Sequence, residues 1–196
     1  MRLLLWLLTF GRLVLIPVFI AMASAAQATA RAGGDPTVQR WTAVGILFVM
    51  GLSDVVDGFI ARRFDLASQA GAVADAAADK LAQFAILIFL VVSVGPVFTS
   101  IPVWFLAVVL GCDLLGLVGW LFLRARYGPI QVVHRLHGKA VTGMVALVLF
   151  LAALGVPESW LMPVVYVTAG GALVSIWMYW LEGRARGRRL RESASA

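Results

Sequence analysis

Long apolar stretches recur along the chain, separated by short connections rich in glycine, proline and polar residues. A helix that spans a bilayer needs about 20 predominantly apolar residues. Six stretches approach that length, at 3–25, 40–61, 71–95, 101–123, 138–155 and 160–181. The fifth is short and would stand nearly upright or begin within the interface. Only the connections 26–39 and 124–137 are longer than a few turns of loop. The pattern predicts an all-α, polytopic membrane protein with six transmembrane helices in one bundle over residues 1–183, and a basic tail at 184–196. The first stretch has an alternative reading as a secretory signal with small residues at Ala23-Ser24-Ala25, but Arg12 interrupts the apolar core such a signal needs.

The polar positions inside the apolar stretches are few and unevenly placed. Asp54, Asp57, Asp75 and Asp79 lie in the second and third, where a charged side chain costs roughly 2.5–3.5 kcal/mol on insertion scales. Helical spacing puts Asp54 and Asp57 (i, i+3) on one face, and Asp75 and Asp79 (i, i+4) on another. A loop of about ten residues lets two such helices turn those faces together. Converging carboxylates are stable only with cations between them, and hard oxygen ligands suit Mg2+, Mn2+ or Ca2+. The pattern points to a metal site, most simply a binuclear one. Gly58 and Gly71 let a ligand or a second backbone come close, and Arg62 adds a forked cation near the end of its helix. Carboxylates, metal and guanidinium beside a backbone gap suit a pyrophosphate. A cation transporter is the alternative from a different class, but it has no evident use for Gly58, Ala61 and Arg62 beside its ion path.

The run Asp54-x2-Asp57-Gly58-x2-Ala61-Arg62-x8-Gly71-x3-Asp75-x3-Asp79 resembles, position for position, the signature of the CDP-alcohol phosphotransferases, with eight motif residues in 26 positions. The resemblance implies a six-helix membrane enzyme that moves a phosphatidyl group from CDP-diacylglycerol to an acceptor hydroxyl and releases CMP. It implies that Asp54, Asp57, Asp75 and Asp79 hold two Mg2+ or Mn2+ ions and that Asp79 is also the catalytic general base. Asp54, Asp57, Gly58, Ala61, Arg62, Gly71 and Asp75 would bind the CDP-alcohol.

The acceptor is less sharply written. Thr9, Arg12 and Pro17 resemble the opening of bacterial phosphatidylglycerophosphate synthases and CMP-forming cardiolipin synthases, as do Ala78-Asp79-Lys80 and Gly138-Lys139-x2-Thr142. Departures from those patterns stand at Trp6, Ala76, Cys112 and Val141. The expected acceptor is glycerol 3-phosphate, gripped by Arg135 and Lys139 (i, i+4) with Arg12. Phosphatidylglycerol, giving cardiolipin, is the runner-up, with inositol phosphate or serine third. Arg12 has two further readings, reaching the donor's phosphates or snorkelling to headgroups, and the Arg135/Lys139 pair a second one as charge at a helix start. Lys80 reads as a partner of Asp79 or as a snorkelling lysine, and Asp113 as an acceptor contact or an interhelix hydrogen bond.

Composition agrees with the membrane reading and adds orientation. Charged residues make up 13%, against about 25% in soluble domains, and the mean hydropathy is +0.95. The lone Cys112 forbids an intrachain disulfide, and His134 and His137 read as loop residues. Arg2, Arg62, Arg63, Arg124, Arg126, Arg135 and the arginines at 184, 186, 188, 189 and 191 fall on one side of a six-span topology; Arg31 and Arg40 fall on the other. The positive side is expected to be cytoplasmic, with both termini and the mouth of the aspartate site, in a bacterial inner membrane. The net charge of +6 is therefore a topology and headgroup signal and not a nucleic-acid platform. Apolar outer faces would accommodate a homodimer.

Overall fold

The computed structural model describes the backbone of residues 2–63, 69–127 and 136–194, and the side chains of 11–53, 77–122, 124–125, 138 and 140–181. Among the described residues the regular structure is helical throughout. It comprises α1 (Arg2–Arg31), α2 (Thr37–Arg63), α3 (Gln69–Val92), α4 (Val103–Tyr127), α5 (Leu136–Ala153) and α6 (Glu158–Ala194). Among the described residues three segments are long and apolar enough to cross a membrane: Gly11–Arg31, Val103–Phe122 and Glu158–Leu181. Ala140–Ala153 of α5 is a shorter apolar helix.

Local chemistry fixes the helix ends. α1 continues past the expected residue 25 and stops at Gly33, whose φ of 77° is a left-handed conformation glycine adopts readily. Gly33 N–H donates to Ala30 O and Gly34 N–H to Thr29 O, the paired bonds of a Schellman cap. Asp35 then caps α2. Its Oδ1 accepts from the Thr37 N–H at 2.9 Å and from the Thr37 hydroxyl, with Pro36 at the first helical position. These two bonds hold the Asp35 carboxyl below its ordinary pKa. α5 ends in the same way as α1, at Gly155 with φ 67°, where Gly155 N–H reaches Ala152 O and Val156 N–H reaches Leu151 O. α3 stops at Val92, three residues short of expectation, ahead of Gly95 and Pro96. α6 overruns its expected end at 181 and carries the basic segment as helix to Ala194. Its arginines, leucine and alanines are good helix formers and outweigh Gly183 and Gly187.

Two compact units divide the chain: residues 1–101 with 146–161, and residues 102–145 with 162–196. In the first, α1 packs against both α2 and α3. Phe19, Ala23 and Ala26 form one fully buried stripe on α1; the alanines let neighbouring backbones approach closely. Phe19 meets Phe89 edge-on at 5.8 Å, and Phe89 meets Phe98 at 6.4 Å. The loop after α3 is pinned by buried Gln27, which donates to Ser93 O at 3.2 Å and accepts from the Val97 N–H at 3.3 Å. Gly95 makes that possible, since a Cβ there would lie 2.2 Å from Gln27 Oε1. Thr99 N–H donates to Ala152 O, joining the same loop to α5, and Arg40 reaches Leu154 O at the α5 C-terminus, where a cation also complements the helix dipole.

In the second unit Phe105 and Val165 are fully buried, and Trp104 stacks on Tyr166 at 5.4 Å. Buried Thr168 satisfies its hydroxyl on Val164 O one turn earlier. Leu114, Leu115, Val118 and Phe122 of α4, with Leu173, Val174 and Trp177 of α6, are exposed. An apolar exterior of this kind suits lipid as the solvent.

Candidate active site

Asp54, Asp57, Gly58, Ala61 and Arg62 lie on the last turns of α2, and Gly71, Asp75 and Asp79 on the first turns of α3. The backbone of both runs is helical, so the i, i+3 and i, i+4 register read from the sequence holds. Of these eight, Asp79 alone has a described side chain; the other seven fall outside the described ones. Arg135 lies outside the described residues, and Lys139 sits on the first turn of α5 with its side chain outside them. Among the described residues no three histidine, cysteine, aspartate or glutamate side chains converge.

What the structure does bring together is Arg12 and Asp79. Arg12 Nη1 donates to Asp79 Oδ1 in an ion pair that joins α1 to α3. The two partners are unequally placed, the Arg12 side chain being 3% exposed and that of Asp79 32%. Their positions follow from packing. Arg12 stands seven residues before Phe19, so it prolongs the stripe of Phe19, Ala23 and Ala26 that buries α1. Asp79 likewise prolongs the α3 stripe of Ala82, Ile86 and Leu90. Two stripes that pack side by side end in opposite charges. Removing one partner of a buried pair strands the other charge and costs on the order of 3–5 kcal/mol, with the lower end fitting a carboxylate that stays partly open.

In the sequence Arg12 reads as a contact to the acceptor, to the donor's phosphates or to lipid headgroups, and not as a partner of Asp79. A signal was available: a lone cation and a carboxylate, each in an apolar helix, both need partners. Lys80, half-buried beside Asp79, and Asp113 on α4 are both engaged with other groups. The Thr142 hydroxyl donates to Gly138 O within α5.

This arrangement presents a carboxylate with a protein cation on one oxygen and an open side, at the edge of a segment carrying three more carboxylates. Such a group can bind a cation or accept a proton. Four carboxylates in two helical pairs are also a hard-oxygen donor set that suits Mg2+ or Mn2+. Residues 4–178 match the family described as CDP-alcohol phosphatidyltransferase. That interval takes in Arg12, both aspartate-bearing helix ends and Lys139, and stops before the basic segment. A fusion protein of Schizosaccharomyces pombe, described as a CMP-forming cardiolipin synthase and mitochondrial hydrolase, is 30% identical over 131 residues, 66% of this chain and 19% of that protein. The chain thus spans about a fifth of that relative's length.

Proposed function

The chain belongs to the CDP-alcohol phosphatidyltransferase family, and on that premise we propose that it transfers a phosphatidyl group from CDP-diacylglycerol to an acceptor alcohol in phospholipid biosynthesis. The observation that carries the reading is the match over residues 4–178, which contains the whole run from Asp54 to Asp79. Membership of a transferase family sets the cation-transporter alternative aside.

In this reading the Asp79 carboxylate takes the proton from the acceptor hydroxyl. The acceptor oxygen then forms a bond to the phosphorus that bears diacylglycerol. The bond from that phosphorus to the bridging oxygen breaks, and CMP leaves with the electron pair. Two Mg2+ or Mn2+ ions held by Asp54, Asp57, Asp75 and Asp79 would supply charge neutralisation at the pyrophosphate. Arg62 adds a guanidinium to phosphate binding, while Gly58, Ala61 and Gly71 allow the nucleotide near backbone. The lipid chains remain in the bilayer. A six-span arrangement with cytoplasmic termini, in a bacterial inner membrane, would open the site to the compartment that holds the nucleotide, as the one-sided arginines support.

Glycerol 3-phosphate is the acceptor this reading favours. A phosphomonoester carries up to two negative charges, and Arg135 with Lys139 offers two cations four residues apart in the sequence. Charge-assisted bonds of this type contribute roughly 1.5–3 kcal/mol each, so R135A or K139A is expected to raise the acceptor KM about tenfold or more. The CDP-diacylglycerol KM should change little. Wild-type acceptor KM values in both variants would remove the case for a phosphorylated acceptor. Phosphatidylglycerol is the second reading, favoured by the fission-yeast relative described as a cardiolipin synthase, and in that case both variants should keep an unchanged acceptor KM.

A further inference from the structure

We propose that Arg12 is a positioning residue for Asp79, holding the carboxylate in its working orientation from α1 without itself touching substrate. The inference rests on the reading of Asp79 as the proton acceptor and goes beyond it by giving that residue a partner 67 positions away in the chain.

Unequal exposure carries the first part of the argument. A cation placed to receive a phosphate must present its guanidinium to the site. Arg12 is 3% exposed, whereas Asp79 keeps 32% of its side chain open. The carboxylate faces outward and the guanidinium stands behind it. Arg12 would have to leave a packed seat, on the stripe with Phe19, Ala23 and Ala26, before it could meet a ligand.

The second part is geometric. An aspartate has two side-chain torsions, and its terminal one is broad, so a carboxylate at a helix surface is free to turn. Arg12 Nη1 holds Oδ1 and so fixes which way the carboxylate plane and its other oxygen face. Rigid helix packing sets that hold. Ala82, buried one turn after Asp79 on α3, and Ala23 and Ala26, buried further along α1, keep the two helices close-packed on the C-terminal side of the pair.

The third part concerns proton traffic. A guanidinium stays charged at all working pH values. It can therefore neutralise and orient the carboxylate without competing for the proton. A lysine at position 12 would keep the charge but carry it on a flexible ammonium in place of a planar guanidinium.

The test uses the full chain, purified in detergent, with CMP release followed while CDP-diacylglycerol and acceptor are varied. Misplacing a catalytic group by about 1 Å costs about 100-fold, and R12Q is expected to lower kcat by about that factor while the donor and acceptor KM values stay within about threefold. R12K should recover about tenfold of the loss. On a D79N background, R12Q should change the residual rate by less than about twofold, because residues acting as one unit are not additive.

The proposal is overturned if R12Q mainly raises a KM, or if its loss multiplies on the D79N background, since either result makes Arg12 a substrate contact. It is also overturned if R12Q or R12K turns over at the wild-type rate. Should R12Q fail to fold, R12K decides alone through its kcat at unchanged KM. Near wild-type turnover by D79N would instead sink the reading of Asp79 as base.

Discussion

Of the four motif aspartates, Asp79 has a described side chain. It is the one with a described partner, Arg12, and it keeps a third of its side chain open. In the proposed mechanism Asp79 takes the acceptor proton as well as helping to hold metal, a role the other three are not given. The aspartates are therefore predicted to be inequivalent. D54N, D57N and D75N should weaken divalent-cation and donor binding, read as a rise of about tenfold or more in the dissociation constant of CDP-diacylglycerol, the scale on which supporting groups of metal sites act. D79N should keep donor binding nearer wild type and lose turnover by roughly 100-fold or more. The check is donor binding and CMP release measured on the same preparations, and near wild-type turnover by D79N would refute it. The residue scale is also where the sequence said least about Arg12. The charge was legible, and so was its unusual place in an apolar helix. Its partner was not, because pairing across 67 residues depends on how α1 packs on α3.

Helices are the scale at which the sequence was most informative. All six apolar stretches form helices, the structure in which one segment satisfies its own backbone groups. The ends were less legible. Caps at Gly33 and Gly155 rest on φ values of 77° and 67°, which the residue type permits and only the surrounding fold selects. The helical course of residues 184–194 was hidden by composition, since a basic run is as easily read as tail. The start of α2 yields a prediction. Asp35 has a lowered pKa because it accepts from the Thr37 hydroxyl and N–H. A carboxyl lowered in the folded state stabilises it fully above the unfolded value and loses that effect as pH falls through the folded value. D35A should therefore lower the thermal midpoint at neutral pH. The gap from wild type should persist down to about pH 4 and close below it, as melting curves from pH 7 to 3 in detergent would record. A gap that stays constant down to pH 3 would mean that the ionised cap is not its source.

At the scale of the molecule, the pattern of charge and the family agree on a membrane enzyme. Among the described residues three helices have the length and apolar character to cross a bilayer, and the residues lying between and beyond the apolar stretches are where most of the arginines collect. The proposed orientation predicts that cysteines placed at 63–69 and 127–133, in a Cys112→Ala background, are shielded from impermeant thiol reagents in intact bacterial cells and react after lysis. Labelling of intact cells would invert the topology. The all-helical class and the family were legible because both rest on dense local patterns; the acceptor was not, because the Arg135 and Lys139 signal is two residues long and shares its chemistry with ordinary headgroup contacts. The most direct test of the central claim is the stoichiometry of CMP and lipid product. Purified protein with labelled CDP-diacylglycerol, Mg2+ or Mn2+ and a panel of glycerol 3-phosphate, phosphatidylglycerol, inositol phosphate and serine should release CMP only when one acceptor is present. One lipid product should form per CMP, and chelation of the divalent ions should abolish both. CMP released at the same rate with no acceptor, or no CMP with any of them, would contradict a phosphatidyl transferase.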